Sequence, residues 1–429
     1  MPDLTSQILP KLLEHKLPDI ALGEGNVFPC YSGYSILNIP ASICHWLGIA
    51  SFGKPPLFQE ALSAINYPVQ RVIFILMDAL GLKQFQTILE NQQAPVWKRL
   101  LAQGSLLTPL TSIVPSTTSA ALTSLWTGCS PAEHGVVGYE LWLKEYGVVA
   151  NMILHAPMSF RNDTGSLSKA GFQPEKFLNL PMFGAHLKAQ GIQPYAFQHA
   201  SIVRSGLSQM LMGQDVEAHG FSTASDLWIN LRQLIEEKPK ERQYIWVYWS
   251  EVDHFSHLYG PNDERPTAEF NTFSHTFEQL FLNRLDASLR SNTLIILTAD
   301  HGQITTRKTP HYDLRNHPNL LRRLHILPTG ENRLMYLYIR PGQSEAVREY
   351  YTRSWPRQFT FLDPAHAVSA GLFGADTPHP QLLDRLGDAL VYAQGDAYLW
   401  WANKDNPLIG RHGGFSPEEM LVPFLAARL

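Results

Sequence analysis

Apolar and polar residues alternate along the chain in blocks that predict an α/β protein. The segment RVIFILMDALG (71–81) is almost continuously apolar, which is typical of a strand buried on both faces of a parallel sheet. Shorter runs of this kind predict strands at 195–198, 244–249, 293–298, 334–339, 359–362 and 389–392. Apolar residues at helical spacing predict helices at 7–13, 82–89, 119–125, 225–237, 268–289, 345–353 and 381–386. This alternation favours a mostly parallel sheet with helices packed against it.

Composition along the chain suggests three parts. Residues 1–70 are rich in proline, glycine and aromatic residues, and we expect them to form an N-terminal arm packed on the core. Residues 71–302 and 403–429 are expected to form the core that carries the candidate site. The segment 303–402 contains many prolines and the stretch HPNLLRRLHILPTGENR, and we expect an insertion that forms a cap subdomain.

Overall composition excludes several classes of protein. Of 429 residues, 45% are hydrophobic and 17% are charged, which is ample for a packed core and excludes intrinsic disorder. The 34 Lys and Arg residues against 38 Asp and Glu residues give a formal net charge of -4. We therefore expect no electrostatic binding to polymeric nucleic acid or to an acidic membrane surface.

Cysteine usage and the N-terminal sequence indicate a cytoplasmic protein. The cysteines are few and unclustered (Cys30, Cys44 and Cys129), which argues against a disulfide framework and fits a reducing compartment. Charges and prolines interrupt MPDLTSQILPKLLEHKLPDI, so we expect no signal peptide. No apolar run approaches the roughly 20 residues of a membrane-spanning helix. The sequence gives no signal for the oligomeric state.

Polar side chains that can carry chemistry follow several of the predicted strands. In open α/β sheets, ligands bind outside the carboxyl ends of the strands. A single Asp at such a position is most often a turn former or a helix cap. Here three carboxylates and three imidazoles recur, a mixed oxygen and nitrogen donor set that is sufficient for two zinc-like ions. The candidate ligands are Asp78, Asp253, His257, Asp300, His301 and His412.

A candidate nucleophile lies in the segment PSTTSAALTSLWTGCSPAEHGVVGY (115–139). It combines a Ser/Thr cluster, a short helix of small residues and a TG-x-x-P-x-x-HG turn. A threonine at a helix N-terminus would lie near free backbone N–H groups and the positive end of the helix dipole, where a phosphoryl group also binds well. An ordinary helix cap would give the same local pattern. We interpret His134 in this segment as a structural turn residue.

The ordered set of motifs resembles the alkaline phosphatase superfamily, in particular its type I phosphodiesterase/nucleotide pyrophosphatase branch. That family shows an Asp after the opening strand, a nucleophilic Thr before T-G-x-x-P-x-x-H-G, then D-x-x-x-H, D-H-G and a late G-x-H-G. This chain has the same order, in IFILMD, PSTTSA, TGCSPAEHG, DHFSH, DHG and GRHGG. The resemblance extends from about residue 71 to the C-terminus.

The resemblance implies a fold, a site and a reaction. The implied fold is a three-layer α/β/α sandwich with a mostly parallel central sheet and a cap insertion. One divalent ion would be held by Asp253, His257 and His412, and the other by Asp78, Asp300 and His301. Zinc is the expected metal, and manganese is accepted by the same donors. The family's nine-residue spacing before the Thr of the TG turn selects Thr118 over Thr117, and the implied reaction is phosphoric ester hydrolysis through a phospho-threonine.

The chain departs from the family's pattern at Tyr139. Nucleotide-cleaving members have an Asn at the corresponding position, which donates a hydrogen bond to a phosphoryl oxygen. A phenol can also donate one hydrogen bond, so Tyr139 is a candidate catalytic residue, although it can equally pack under the turn. The Pro-Asn pair that usually follows the nucleophile is replaced here by the sequence SAA (119–121).

Several functions remain open at this point. The main prediction is a phosphodiesterase or nucleotide pyrophosphatase that acts on a small-molecule phosphate ester. The alternatives are a phosphonate-cleaving hydrolase that resembles phosphonoacetate hydrolase, and a phosphomonoesterase on the same site. A metal-stabilised binding protein on a degenerate phosphatase fold is the non-enzymatic alternative.

Overall fold

A computed structural model describes residues 3–65, 68–159 and 163–429. The described residues form two seven-stranded sheets and one two-stranded sheet. The strands are β1 (Arg71–Met77), β2 (Leu106–Thr111), β3 (Glu140–Leu143), β4 (Val148–Asn151), β5 (Ala156–Pro157), β6 (Gln193–His199), β7 (Glu217–Phe221), β8 (Gln243–Trp249), β9 (Thr293–Thr298), β10 (Ile304–Thr305), β11 (Thr329–Gly330), β12 (Leu334–Leu337), β13 (Phe359–Leu362), β14 (Ala389–Ala393), β15 (Gly410–Arg411) and β16 (Leu421–Arg428).

Helices occupy most of the connections between these strands. The α-helices are α1 (Thr5–Glu14), α2 (Ile39–Leu47), α3 (Gln59–Ser63), α4 (Leu82–Glu90), α5 (Pro95–Ala102), α6 (Thr118–Thr127), α7 (Pro131–His134), α8 (Pro174–Phe177), α9 (Phe183–Ala189), α10 (Gly206–Met212), α11 (Ala224–Glu237), α12 (Glu251–Tyr259), α13 (Glu264–Thr276), α14 (Ala287–Arg290), α15 (Pro318–Leu321), α16 (Ser344–Ser354), α17 (Pro364–Ser369), α18 (Leu382–Leu386) and α19 (Pro417–Met420). Short 3₁₀ turns lie at Ile36–Asn38, Ser166–Ala170, Pro310–Tyr312 and Leu314–Asn316, and a π-helical turn at Phe277–Leu282. Among the described residues, none of these helices has both the length and the apolar character that crossing a membrane requires.

The central sheet is mostly parallel, which confirms the predicted fold class. Its strand order is β2-β16-β9-β1-β8-β6-β7. The strands from β9 to β7 run parallel to one another, and β16 pairs antiparallel with both β2 and β9. All seven residues of β1 are buried between β8 and β9, as its continuous apolar sequence predicts. The carboxyl ends of β1, β8 and β9 therefore lie side by side at one edge of the sheet.

The helix predicted over 268–289 and the strands β2 and β16 differ from the sequence-based predictions for physical reasons. The helix predicted over 268–289 ends as a π-helical turn at Leu282, and Asp286 caps a separate short helix, α14, by accepting a hydrogen bond from the Ser288 N–H. The sequence also gives no prediction of β2 and β16, which contain Pro109 and Pro423. These prolines face each other in the register of the pair, and β16 pairs with β9 only from Phe424 onward. The missing proline N–H of β16 thus interrupts no hydrogen bond with β9.

The N-terminal residues lie along the β2 edge of the central sheet. The Leu4 N–H donates to the Leu107 carbonyl at 2.8 Å, and the Cys30 N–H donates to Thr111 Oγ1 at 2.9 Å. Apolar residues of α1 and α2 are buried in the same core as β1. The first residues of the chain therefore cover an edge strand that would otherwise present free backbone groups.

A second sheet joins the predicted insertion to part of the predicted core. Its order is β13-β14-β12-β11-β3-β4-β5, with antiparallel pairing throughout. Strands β3 to β5 come from residues 140–157 and the other four from residues 329–393. The junction is the pair Gly330↔Glu140. The boundaries at 303 and 402 therefore do not separate two independent sheets.

A buried ion pair ties this second sheet to the C-terminal segment. Arg333 and Glu419 are almost completely buried, and their bidentate contacts are 2.7 and 2.9 Å. Glu419 Oε1 also accepts a hydrogen bond from the Gly414 N–H at 2.8 Å. Removal of one partner would leave the other charge buried without compensation.

We expect Glu419→Ala to lower the free energy of unfolding by about 3–5 kcal/mol, because Arg333 would remain buried and unpaired. Urea unfolding followed by circular dichroism measures this loss. Glu418→Ala is the matched control, since the neighbouring Glu418 side chain is 43% exposed and 3.8 Å from Lys83. A surface substitution of this kind changes stability by no more than about 0.5 kcal/mol. Equal effects of the two substitutions would contradict the prediction.

Candidate metal centre and active site

All six predicted ligands and the predicted nucleophile meet at the carboxyl edge of the central sheet. Asp78 directly follows β1, and Asp300 and His301 lie just after β9. Asp253 and His257 are one turn apart on α12, which begins just after β8. His412 follows β15, which pairs with β10. Ligand atoms of five of these residues form two groups of three, and within each group all atoms lie within 4.8 Å of one another.

The first group consists of Asp78, Asp300 and His301, all of them buried. His301 Nε2 lies 3.6 Å from Asp78 Oδ1 and 3.6 Å from Asp300 Oδ2. This is the set that the resemblance implies for one ion. Asp300 Oδ2 is buried and, among the described residues, accepts no hydrogen bond, which fits an oxygen that binds a cation.

Backbone geometry holds the two carboxylates of this group. Asp300 Oδ1 accepts hydrogen bonds from the Ala79 N–H at 3.2 Å and the His301 N–H at 3.0 Å. Ala79 has a φ of 60°, which costs a non-glycine residue about 1 kcal/mol or more. The Tyr248 hydroxyl donates to Asp78 Oδ2. Backbone strain at Ala79 thus accompanies the hydrogen bond that fixes Asp300.

The second group consists of Asp253, His301 and His412. His257 Nε2 is 3.4 Å from Asp253 Oδ1, and the Gln303 amide donates to the same oxygen. The resemblance divides the ligands into two separate sets of three. In the structure, His301 belongs to both groups, and its ring stacks on that of His412 at 3.9 Å between centroids.

The three imidazoles are oriented in the same way. Each Nδ1 lies within hydrogen-bond distance of a backbone carbonyl: His257 with Gly410 at 2.9 Å, His301 with Gly302 at 3.1 Å, and His412 with Ser116 at 3.0 Å. A carbonyl only accepts, so each Nδ1 carries a proton, and in the neutral imidazole Nε2 is then the nitrogen with the lone pair. This tautomer is the one a histidine needs to bind a metal ion through Nε2.

Electrostatics at this edge of the sheet favours a bound cation. Burial, followed by the neighbouring carboxylates of Asp300 and Asp253, raises the pKa of Asp78 well above its usual range. Burial and the adjacent rings of His301 and His257 hold the pKa of His412 well below its usual range. The imidazole is therefore neutral, as a metal ligand must be. The donor set fits divalent cations.

Thr118 lies at the first position of α6, next to the first group of ligands. Its Oγ1 is 3.2 Å from His301 Nε2 and 3.5 Å from Asp78 Oδ1. The helix has ten residues, all of them buried, and Thr118 lines the cavity of the site. The free N–H groups of this first turn can hold a phosphoryl oxygen.

Thr117 lies at the N-cap position of the same helix, but its side chain faces a different partner. Its side chain interacts with the carboxyl group of Glu331, and no side-chain cap bond to the helix forms. Of the two threonines, Thr118 is the one whose hydroxyl lies within 3.5 Å of candidate metal ligands.

Tyr139 lines the cavity, and its hydroxyl has a fixed neighbour. The Asn151 side-chain amide donates to the Tyr139 hydroxyl at 2.6 Å, so the phenol proton is free to point elsewhere. The Tyr139 N–H donates to Glu331 Oε1 at 2.8 Å. The phenol is thus anchored by Asn151 while it retains one donor that can face a ligand.

A cavity of about 700 Å³ opens in front of these groups. Its far wall is aromatic and acidic: the Trp401 indole donates to Glu140 Oε2 at 2.8 Å, and Trp400 lies beside it. Burial raises the pKa of Glu140 to about 7 and that of Glu331 to about 8. The cavity accepts a ligand much larger than a phosphate ion.

Two motif glycines are required by close backbone packing at the site. A side chain at Gly302 would collide with the Glu418 carbonyl oxygen. A side chain at Gly413 would collide with Glu331, and the Gly413 φ of 104° disfavours other residues. The glycines of DHG and GRHGG thus allow the ligand loops to approach each other.

Sequence analysis missed several residues that complete the site. Tyr248 lies one residue before the end of the buried strand β8 and Gln303 follows DHG, so their positions offered a weak signal. Glu331 and Ser116 offered none, because their roles depend on contacts with residues far away in sequence. His134, interpreted as a turn residue, is buried with its Nε2 2.9 Å from Ser124 Oγ.

Solved structures of similar fold belong to phosphate- and phosphonate-cleaving enzymes. Murine ectonucleotide pyrophosphatase/phosphodiesterase 5 matches with a TM-score of 0.58 at 16% identity, over 83% of this chain and 87% of that chain. Phosphonoacetate hydrolase from Sinorhizobium meliloti 1021 matches with a TM-score of 0.58 at 19% identity, over 83% and 89% of the two chains. Human ectonucleotide pyrophosphatase/phosphodiesterase 5 matches with a TM-score of 0.57 at 14% identity, over 83% and 87%. These likenesses confirm the alkaline-phosphatase-like fold.

The family assignment comes from the sequence itself. A search of curated protein sequences found no significant match to this chain. The family model described as type I phosphodiesterase/nucleotide pyrophosphatase matches residues 72–414, which is most of the chain. That family is metal-dependent, and the matched residues include all of the candidate ligands. The protein therefore belongs to the type I phosphodiesterase/nucleotide pyrophosphatase family and is a phosphoric ester hydrolase.

Proposed function

We propose that this protein hydrolyses small-molecule phosphodiesters through a phospho-threonine formed on Thr118 at a two-metal site. The observation that carries the proposal is the position of the Thr118 hydroxyl, which lies 3.2 Å from His301 Nε2 and 3.5 Å from Asp78 Oδ1, beside two groups of carboxylate and imidazole ligand atoms. Histidines whose Nδ1 atoms bond to backbone carbonyls keep Nε2 available for a metal ion. A non-enzymatic binding protein would have no need for a hydroxyl at the centre of the ligands.

The proposed ligands divide between two divalent ions. Asp78, Asp300 and His301 would hold one ion, and Asp253, His257 and His412 the other. Zinc is the proposed metal and manganese the alternative, because both accept carboxylate and imidazole donors. When bound, such ions lower the pKa of a hydroxyl and neutralise charge that develops on the phosphoryl oxygens.

In the first proposed step, Thr118 Oγ1 attacks the phosphorus of the substrate. A new P–O bond forms to Oγ1 while the bond from phosphorus to the leaving alcohol breaks on the opposite side. The threonine proton passes to solvent water, and the departing alcohol takes a proton from water. The N–H groups of the first turn of α6 bind a non-bridging oxygen throughout.

In the second step, water hydrolyses the phospho-threonine. Water attacks phosphorus from the side that the alcohol has left, and the P–Oγ1 bond breaks. The Thr118 oxygen takes a proton from solvent water, and the attacking water releases one to solvent. The net reaction is the addition of one water molecule across a phosphate ester bond.

Cavity size favours an ester over a small phosphonate. The cavity of about 700 Å³ in front of Thr118 leaves space for a bulky alcohol group, whereas phosphonoacetate would fill little of it. An inactive variant of the murine structural neighbour was solved in complex with AMP, so a nucleotide fits that enzyme. Rates on bis-p-nitrophenyl phosphate, p-nitrophenyl phosphate, a nucleotide diester and phosphonoacetate test the proposal directly. Fastest turnover of phosphonoacetate would favour the phosphonate-cleaving alternative.

The metal-binding part of the proposal predicts two zinc equivalents per chain in calorimetric titration of chelator-treated protein. Because the ions bind only the folded site, free zinc at 1,000 times Kd should stabilise the fold by about 4 kcal/mol for each bound ion. His257→Ala should weaken binding of one equivalent. The matched control is His254→Ala, an exposed histidine on the same helix that also lines the cavity. Identical titrations of the two variants would remove His257 from the ligand set.

The nucleophile is tested by a pair of neighbouring threonines. Thr118→Ala should reduce kcat by about 10³-fold or more, because the attacking oxygen is lost. Thr117→Ala should reduce kcat by less than about 10-fold, because its hydroxyl contacts Glu331 instead of the ligands. Steady-state kinetics with zinc-saturated protein measures both effects. The reverse ranking would assign the nucleophile to Thr117.

The role of Tyr139 is tested by Tyr139→Phe. If the phenol donates to a phosphoryl oxygen in the transition state, its removal should lower kcat by about 10²–10³-fold while KM changes little. Kinetics on a phosphodiester measures the effect. An unchanged kcat would show that the hydroxyl serves only as the acceptor for Asn151.

A further inference from the structure

Ser116 connects the nucleophile segment to the ligand loop at the other end of the chain. It is completely buried and lies two residues before Thr118. Its Oγ donates to the Gly414 carbonyl at 2.8 Å and accepts from the Gly413 N–H at 3.2 Å. Its own carbonyl accepts from His412 Nδ1 at 3.0 Å. One serine thus makes three hydrogen bonds to three consecutive residues.

These bonds join two groups that the proposed reaction must align. Thr118 supplies the attacking oxygen, and His412 supplies a ligand nitrogen from almost 300 residues later in the chain. Only Thr117 lies between Ser116 and Thr118, so a shift of the ligand loop is transmitted to the nucleophile. Catalytic groups must be held to within about 0.5 Å of their productive geometry.

We propose that Ser116 is a positioning residue whose hydroxyl sets the alignment of the Thr118 oxygen with the His412 ligand. The inference rests on the proposed function, because it concerns the nucleophile and ligand named there. Ser116 itself does not line the cavity and touches no substrate. It acts through Thr118 and His412.

Other contacts keep the ligand loop folded when the Ser116 hydroxyl is removed. Glu419 Oε1 holds the Gly414 N–H at 2.8 Å, and Arg333 in turn holds Glu419. The bond from His412 to the Ser116 carbonyl does not depend on the side chain. Ser116→Ala should therefore loosen the alignment without unfolding the loop.

Ser42 provides a matched control elsewhere in the fold. It is also completely buried, and its Oγ donates to the Asn38 carbonyl at 2.8 Å and accepts from the Leu57 N–H at 2.8 Å. Ser42→Ala removes the same two kinds of hydrogen bond from α2, in the N-terminal arm. The two substitutions should lower the melting temperature by similar amounts.

The experiment measures zinc affinity and kinetics for both alanine variants. Zinc affinity comes from competition with a chromogenic chelator, and kinetics from bis-p-nitrophenyl phosphate with saturating zinc. Ser116→Ala should weaken zinc binding by about 10-fold and lower kcat by about 10–100-fold, with KM within about twofold. Ser42→Ala should keep the wild-type zinc affinity, kcat and KM. Ser116→Cys, which retains the volume and a weak donor, should fall between alanine and wild type in both kcat and zinc affinity.

The outcomes separate this inference from the proposed function. Wild-type kcat and zinc affinity in both Ser116 variants, with only a lower melting temperature, would overturn the positioning role. Absence of ester hydrolysis by the wild-type protein would overturn the proposed function, while the zinc competition would still decide the role of Ser116. If the alanine variant fails to fold, comparison of the cysteine variant with wild type in kcat and zinc affinity decides the role of Ser116.

Discussion

Repulsion among three neighbouring carboxylates is the constraint on which the rest of the site depends. Asp78, Asp253 and Asp300 converge at one edge of the sheet, and among the described residues none of them has a Lys or Arg partner within 4 Å. Buried carboxylates without compensation are very costly. Protonation, which the raised pKa of Asp78 favours, or a bound cation would compensate these charges. Each neighbouring imidazole has its Nδ1 next to a backbone carbonyl, which turns its Nε2 toward the acids.

Rigid elements hold these charges close together. The parallel strands fix the positions of Asp78 and Asp300, and helix α12 fixes Asp253 and His257 one turn apart. The ligand loops then approach each other closely because Gly302 has no side chain. The positive φ of Ala79 shows that this close approach involves backbone strain. A site assembled in this way on strand ends loses little flexibility when a ligand binds, which is what catalysis by preorganised charge requires.

The predicted insertion contributes to the site as well as covering it. Glu331 reaches the nucleophile turn and the Tyr139 backbone, and Arg333 supports the loop of His412 through Glu419. The sheet that contains them begins with residues 140–157, so the insertion and the core share one hydrogen-bonded structure. Residues 329–393 therefore cannot move far from residues 140–157 without breaking hydrogen bonds of this sheet.

The sequence by itself determined the α/β class, most strands of the central sheet and the six candidate ligands, because continuous apolar runs and polar strand ends are local signals. It failed at β16, where a proline is tolerated only because pairing with β9 starts one residue later. The sequence assigned His301 to one ligand set, and in the structure its ring nitrogen also lies within 4.8 Å of ligand atoms of Asp253 and His412. The roles of Glu331 and Ser116 were decided only by the tertiary structure. Their partners lie about 190 to 300 residues away along the chain, and no local pattern records contacts that only chain folding creates.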